Sequence, residues 1–366
     1  MAARILAELK TANTLATETV RDLGGPSFEW DEGPEVSLRG DRIPKRKLWK
    51  LKDLTALPKD IPAKPPSMQT EGDAVQENLG ERLFLEALSL IGTDDENSDK
   101  EIQLYKLAIE YGHESAVAHY NLGVLLKDKG DLDGAIAEWR KAIAIDPDLA
   151  QAHNNLGIAL KAKGDLDGAI AEYRKALAID PDYAEAHYNL GNALKDKGDL
   201  DGAIAEWRKA LAINPDLAEA HSNLGIALSD KGDLDGAIAE YRKALAIDPD
   251  DADAHYNLGG ALKDKGDLDG AIAEYRKAIE IDPDLAEAHY NLGVALIDKG
   301  DLDSAIAEYR KVLAIDPDYL FALENLAEAL DAAKRKPEAK EYWRRALAIE
   351  TRPEWITRIK KRLRIG

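Results

Sequence analysis

The sequence predicts an all-α protein, an α-solenoid of stacked helix–turn–helix units behind a proline-rich extended arm. Three observations carry this. A block recurs with its leading glycine at Gly130, Gly164, Gly198, Gly232, Gly266 and Gly300, a constant step of 34 residues. The prolines Pro147, Pro181, Pro215, Pro249, Pro283 and Pro317 keep the same step. Within each block the apolar residues recur at helical rather than strand spacing. Units of this kind cannot bury their apolar faces alone, so they stack on one another.

In the first unit, helix A is expected over about residues 116–129 and helix B over 132–145. Gly130 stops helix A, since glycine accepts the left-handed backbone that ends a helix, and Asp131 caps helix B. Asp146-Pro147-Asp148 ends helix B, because proline restricts the residue before it and cannot continue the ladder. Leu122, Leu126, Ala135, Trp139, Ala142 and Ile145 form the apolar faces. Gly123 and Ala135 are small and allow close approach of the two helices. Trp139, Tyr173, Trp207, Tyr241, Tyr275 and Tyr309 place an aromatic in the same slot of each unit.

These units resemble the tetratricopeptide repeat, on His119, Leu122, Gly123, Leu126, Ala135, Trp139, Ala142 and Pro147 and their copies. The resemblance covers six near-consensus units over 116–319 and a weaker seventh over 320–353, in which Ala327 replaces the glycine. It implies a right-handed α-solenoid of stacked helix–turn–helix tetratricopeptide repeats. Leu83 to Ile91 and then Leu104, Tyr105, Ala108 and Ile109 read as a degenerate further pair within 74–115. Residues 354–366 read as a C-terminal capping helix, with Trp355, Ile356, Ile359 and Leu363 inward and the basic residues outward.

Residues 1–73 hold seven of the fifteen prolines and none of the repeat pattern. A helix is expected over 2–22, then an extended chain. Residues 41–70 carry eight basic and three acidic groups, a net of +5, and residues 352–366 also reach +5. With the first forty residues at −3 and the whole chain at −20, residues 71–351 carry −27. Three readings of the basic arm stand: a disordered tail, an arm that docks on its own groove or on a partner, and a targeting segment. Trp30, Trp49, Phe28, Ile43, Leu48, Leu51 and Leu54 favour docking, and Pro44-Lys45-Arg46-Lys47 is the targeting candidate, a nuclear-import-like run.

Composition excludes several classes of function. The chain of 366 residues is 45% hydrophobic and 32% charged, enough to build a core. No run of eighteen apolar residues marks a membrane-spanning helix. The first twenty residues lack a secretory apolar stretch, being interrupted by Glu8, Lys10 and Glu18. There is no cysteine, hence no disulfide, thiol catalysis or iron–sulfur cluster. A soluble protein of a reducing compartment, cytoplasmic or an organellar matrix, is expected.

Chemistry-bearing motifs are few. No phosphate loop, HExxH, GxSxG or dinucleotide glycine pattern occurs, so no catalytic residue, cofactor or metal is expected. His119, His153, His187, His221, His255 and His289 form a row on helix A. Stacked helices stand roughly 8–10 Å apart, too far for neighbours to share an ion, so packing is the expected role.

The row Asn121, Asn155, Asn189, Asn223, Asn257, Asn291 and Asn325 stands one residue before the core leucine of helix A. A carboxamide offers two donors and an acceptor, which suits an extended peptide backbone. The row resembles the asparagine ladder of the O-linked N-acetylglucosamine transferase superhelix, whose transferase domain has no counterpart here. Asparagine is also simply common at this place in such repeats, and both readings stand. Tyr120, Tyr188, Tyr256 and Tyr290 flank the ladder, with Lys127, Asp128, Asn192, Lys195, Asp196, Asp230, Lys263, Asp264 and Asp298 further along. On the peptide-binding reading these asparagines face an open groove, and alanine at Asn189, Asn223 and Asn257 should weaken binding and leave stability unchanged. Glu185, Glu219, Asp253 and Glu287 oppose an acidic chaperone tail as the client.

The function expected is a non-enzymatic protein–protein interaction scaffold that binds an extended peptide or arm, as a subunit or assembly factor of a larger complex. The alternative is a substrate-selecting module for an enzyme supplied in trans. The −27 body opposes nucleic acid at the repeats, and the oligomeric state stays open.

Overall fold

The computed structural model describes residues 28–32, 35–38, 41–44, 47–51, 72–91 and 98–364, with side chains from Leu79 onward. The helix expected over 2–22 lies outside the described residues, as do Lys45 and Arg46 of the basic run. The chain forms two compact units, Met1–Asn214 and Pro215–Gly366.

In the first unit, strand β1 (Phe28–Glu32) pairs antiparallel with β4 (Lys47–Leu51), Trp30 opposite Trp49. Strand β2 (Glu35–Leu38) pairs antiparallel with β3 (Asp41–Pro44), Val36 opposite Ile43. The helices follow: α1 (Gly72–Ser89), α2 (Ser98–Glu110), α3 (Ala116–Asp128), α4 (Leu132–Ile145), α5 (Ala150–Ala162), α6 (Leu166–Ile179), α7 (Ala184–Asp196) and α8 (Leu200–Ile213). Each helix packs on the next. The strands also touch the helices: β4 lies against α1 and α3, and β3 against α7. Extended chain was expected in this region. Their pairing was not expected, although Arg39-Gly40 between β2 and β3 is a two-residue hairpin spacing with a glycine, and β1 and β4 pair in the same register outside them.

The second unit holds α9 (Ala218–Asp230), α10 (Leu234–Ile247), α11 (Ala252–Asp264), α12 (Leu268–Ile281), α13 (Ala286–Asp298), α14 (Leu302–Ile315), α15 (Leu320–Ala332), α16 (Lys336–Ile349) and α17 (Pro353–Leu363). Consecutive helices pack here as well. The odd-numbered helices α3 to α15 are the A helices of repeats one to seven, and α4 to α16 are their B helices.

Helix ends follow from local chemistry. Gly130 takes φ +84°, in the region open to glycine, and the Asp131 carboxylate accepts from the Gly134 amide at 2.9 Å. The same pair recurs at each later repeat through Gly300-Asp301. In the seventh repeat Lys334 holds the glycine position at φ 62°, a conformation that strains a residue bearing a Cβ by about 1–2 kcal/mol. After helix B the Asp146 carboxylate accepts from the Asp148 amide, which closes the Asp-Pro-Asp turn.

The core is the interlock of glycine and aromatic ring. Trp139, Tyr173, Trp207, Tyr241, Tyr275 and Tyr309 are all buried against Gly123, Gly157, Gly191, Gly225, Gly259 and Gly293. A Cβ added to Gly123 would stand 2.6 Å from the Trp139 Nε1. The ring of helix B therefore occupies the volume that any larger residue on helix A would need. Leu83, Ala87, Leu88, Leu104, Tyr105 and Ala108 extend the same core into α1 and α2.

Candidate functional site

The A helices carry every sequence-predicted site residue. The asparagine row forms a ladder that runs along successive A helices. Asn121 donates to the Tyr105 hydroxyl at 3.0 Å and Asn155 to the Tyr120 hydroxyl at 3.1 Å. Asn291 donates to Tyr256 at 2.9 Å and Asn325 to Tyr290 at 3.0 Å. Asn189 instead donates to the Asn154 carboxamide oxygen at 3.2 Å, because asparagine stands there in place of tyrosine. Asn121 reaches back to α2, and each of the other four bonds joins an asparagine to the residue beside the asparagine of the preceding repeat. Burial and this bond hold the tyrosine hydroxyls in opposition: burial raises Tyr256 and Tyr290 above the ordinary phenol value, and the asparagine bond partly lowers them.

This corrects the expectation of a uniformly open row. Asn121 and Asn189 are 0% exposed, with Tyr120 at 1% and Tyr188 at 0%. Asn155, Asn223, Asn257, Asn291 and Asn325 are half-buried, as are Tyr256 and Tyr290. Alanine at Asn189 therefore removes a buried contact, and its effect on stability is not nil. At Asn155 and Asn291 the ladder bond uses one of the two amide donors of the carboxamide. Asn257 differs again, since Ser222 holds the tyrosine position of the preceding repeat and the Ser222 Oγ is buried without a hydrogen-bond partner. Asn291→Ala and Asn325→Ala are each expected to lower stability by about 0.5–1.5 kcal/mol, one net hydrogen bond. Asn257→Ala should cost less. Urea denaturation of the three variants checks the order, and equal losses at all three would remove the ladder's energetic role.

The histidine row is a polar clasp between the two helices of a repeat. Nδ1 of His153, His187 and His289 lies 2.6 Å from Glu172, Glu206 and Glu308 on helix B, and His119 and His221 repeat the contact at 2.5 Å with Glu138 and Glu240. Nε2 of His153 faces the Pro147 carbonyl at 3.0 Å, and His187, His221, His255 and His289 face the equivalent proline carbonyls. Both partners are acceptors. A doubly protonated ring satisfies both at once, and either neutral tautomer leaves one unmade. Packing was the role expected of these residues. The glutamate partners were missed, although a glutamate nineteen positions after each histidine was legible in all six repeats. Among the described residues no group of three or more His, Asp or Glu could hold a metal ion.

A second row stands three residues after each asparagine: Val124, Ile158, Asn192, Ile226, Gly260, Val294 and Glu328, of which only Asn192 was picked out from the sequence. In the second unit it opens into a cleft of about 530 Å³ lined by Val294, Ile297, Leu302, Tyr309, Asn325, Glu328, Ala329, Asp331, Ala332 and Arg362. One wall is apolar, from α13 and α14, and the opposite wall is polar, from α15 and α17. Arg358, Lys361 and Arg362 of α17 are exposed, and several basic residues in and beside α17 reach acidic side chains. Arg358 pairs with Glu328 at 2.5 Å, while Arg352 and Arg362 approach Glu324 and Asp331 at 3.8 Å. Arg352 and Arg358 also cover the Trp355 ring at 4.7 Å each, and Ile359 and Leu363 are buried beneath. No helix of the described residues is long and apolar enough to cross a membrane.

Comparison with known proteins agrees with this architecture. The profile described as "TPR repeat" matches residues 125–164, 159–198, 191–232, 227–266 and 259–300, and that described as "Tetratricopeptide repeat" matches 286–319. No curated protein matches the chain. Among solved structures the chain is similar to MamA, with 34% identity over 44% of this chain and 95% of that one at a TM-score of 0.43. It is similar to YrrB, described as a TPR protein with an unusual peptide-binding site, with 29% identity over 50% of this chain and 95% of that one at 0.45. A chain of the APC/C hetero-tetramer Cut9–Hcn1 shares the fold at 20% identity, over 70% of this chain and 49% of that one, with a TM-score of 0.50.

Proposed function

We propose, for a chain that belongs to the tetratricopeptide repeat family, a non-enzymatic scaffold that holds an extended segment of a partner protein against its A helices. The observation that carries this reading is the half-buried face of the second unit. There Tyr256, Asn257, Tyr290 and Asn291 are half-buried and Asn325 lines the 530 Å³ cleft. Tyrosines offer flat contact area at low entropic cost, and carboxamides with spare donors and acceptors can bond a peptide backbone whatever its side chains. The membership of the partner in a larger assembly belongs to the same proposal.

Affinity capture followed by cross-linking tests it. A captured partner should cross-link along α9, α11, α13 and α15. Asn257→Ala breaks no bond to Ser222, so it reports binding with little disturbance of the fold. It should weaken the captured partner by roughly three- to tenfold, the equivalent of about 0.5–1.5 kcal/mol. Unchanged affinity together with cross-links confined to the B helices would overturn the reading.

A further inference from the structure

The two units carry nearly the same groove residues in two different states. In the first unit Tyr120, Tyr188, Val124, Ile158 and Asn192 are buried. In the second, the corresponding Tyr256, Tyr290, Ile226 and Val294 are half-buried. Repeat sequence does not explain the difference at the tyrosines, at Val124 against Val294 or at Ile158 against Ile226, because the same residue types stand at those positions. What differs is the chain laid beside them: β4 lies against α3, and β3 against α7.

The covering segment has a distinct chemistry. Residues 41–51 hold five basic side chains, Arg42, Lys45, Arg46, Lys47 and Lys50, against one acid, Asp41, with Ile43, Leu48, Trp49 and Leu51 interleaved. The face left open in the second unit is suited to the same type of segment. Its cleft has an apolar wall that includes Val294 and Ile297, and Asp230, Asp264 and Asp298 stand at the ends of its A helices. Where most other repeats carry a lysine, Lys127, Lys161, Lys195 and Lys263, the cleft has Ile297. That exchange removes a positive charge and adds apolar surface at one point.

We propose that strands β3 and β4 are a built-in occupant of the A-helix face of the first unit, and that the open A-helix face of the second unit takes an extended segment of the same chemistry, basic with interleaved aliphatic and aromatic residues, from another protein. This rests on the proposed scaffold function and specifies its ligand. A segment of this composition gains long-range attraction from a body of net −27. It also places apolar side chains in the cleft, which charge attraction alone does not require.

The test uses the full chain and three labelled peptides: residues 35–51 as they stand, the same peptide with every Lys and Arg replaced by Glu, and a scrambled version of the first. The native-sequence peptide should bind one to one and cross-link, from a photoreactive residue at position 49, to α11, α13 or α15. The double variant Val294→Asn, Ile297→Lys borrows both residues from other repeats, Asn192 and Lys195, so it should keep its helical circular dichroism. It should weaken that peptide at least tenfold. Equal binding of the scrambled peptide would reduce the interaction to charge attraction and overturn the proposal. Preferential binding of the charge-inverted peptide, lost in the same double variant, would overturn the ligand chemistry and leave a peptide groove standing. Failure of all three peptides to bind would overturn the proposal, while the capture experiment on Asn257 still decides the scaffold reading separately. Concentration-dependent dimerisation abolished by the double variant would assign the face to a second copy of this chain and overturn a different partner.

Discussion

Trp139→Ala is expected to lower stability by about 3–5 kcal/mol, the range for emptying a large aromatic from a core. The ring is 0% exposed, lies directly on Gly123, and its Nε1 donates to the Tyr120 carbonyl at 3.2 Å. Glycine has no side chain with which to refill the space, so the cavity persists and a buried carbonyl loses a donor. Urea denaturation followed by helical circular dichroism measures the loss. Trp139→Tyr is the control: Tyr173, Tyr241, Tyr275 and Tyr309 fill the same slot beside glycine in other repeats, and the swap should cost less than about 1.5 kcal/mol. A loss under about 1 kcal/mol for the alanine variant would mean that the repeat collapses over the void, and that the glycine–aromatic interlock is not what holds the helix pair.

His187→Ala is expected to cost about 1–3 kcal/mol, the range for leaving buried hydrogen-bonding groups without their partner. Glu206 would keep Lys209 at 2.8 Å but lose the bond from the imidazole, and the Pro181 carbonyl would lose its donor. Burial alone would raise the Glu206 carboxyl, yet hydrogen bonds from His187 and Lys209 outweigh it and hold the group below the ordinary value. The same balance lowers Glu138, Glu172, Glu240 and Glu308. A carboxyl whose folded value is depressed contributes stability that is complete above its unfolded value, about 4.3, and is lost as pH falls through the folded value. Stability should therefore drop as the pH is lowered below about 4.3. In Glu206→Gln that drop should shrink relative to the parent. Parallel pH profiles for parent and variant would show that the clasp makes no electrostatic contribution.

The helices, their limits and the glycine–aromatic interlock were legible because each is written within one 34-residue step. Gly130 and Asp131 end one helix and begin the next through their own backbone preferences. Trp139 meets Gly123 because helical spacing places both on facing sides of one helix pair. The candidate site was legible only in part. Its rows could be picked out by position, but Asn155 and Tyr120 belong to different repeats, and nothing in either repeat alone says that the amide donates to that hydroxyl. The His–Glu clasp lay within one repeat and was within reach of the same arithmetic. It was missed because histidine was weighed as a packing group, without the residue facing it from helix B.

The sequence by itself determined the helix boundaries and most of the core, since these depend on short-range periodicity and on contacts that recur in every copy; Ile145, expected on the apolar face, is instead 40% exposed. The tertiary structure alone decided which copies stay open. Tyr188 and Tyr256 stand at the same place in near-identical repeats, yet one is buried and the other half-buried. The helix that carries the buried one, α7, has β3 lying against it, a strand more than a hundred residues earlier in the chain. A repeat encodes its own helices and the faces they offer; what covers a face is set by a segment outside the repeat, through long-range packing that local sequence does not carry.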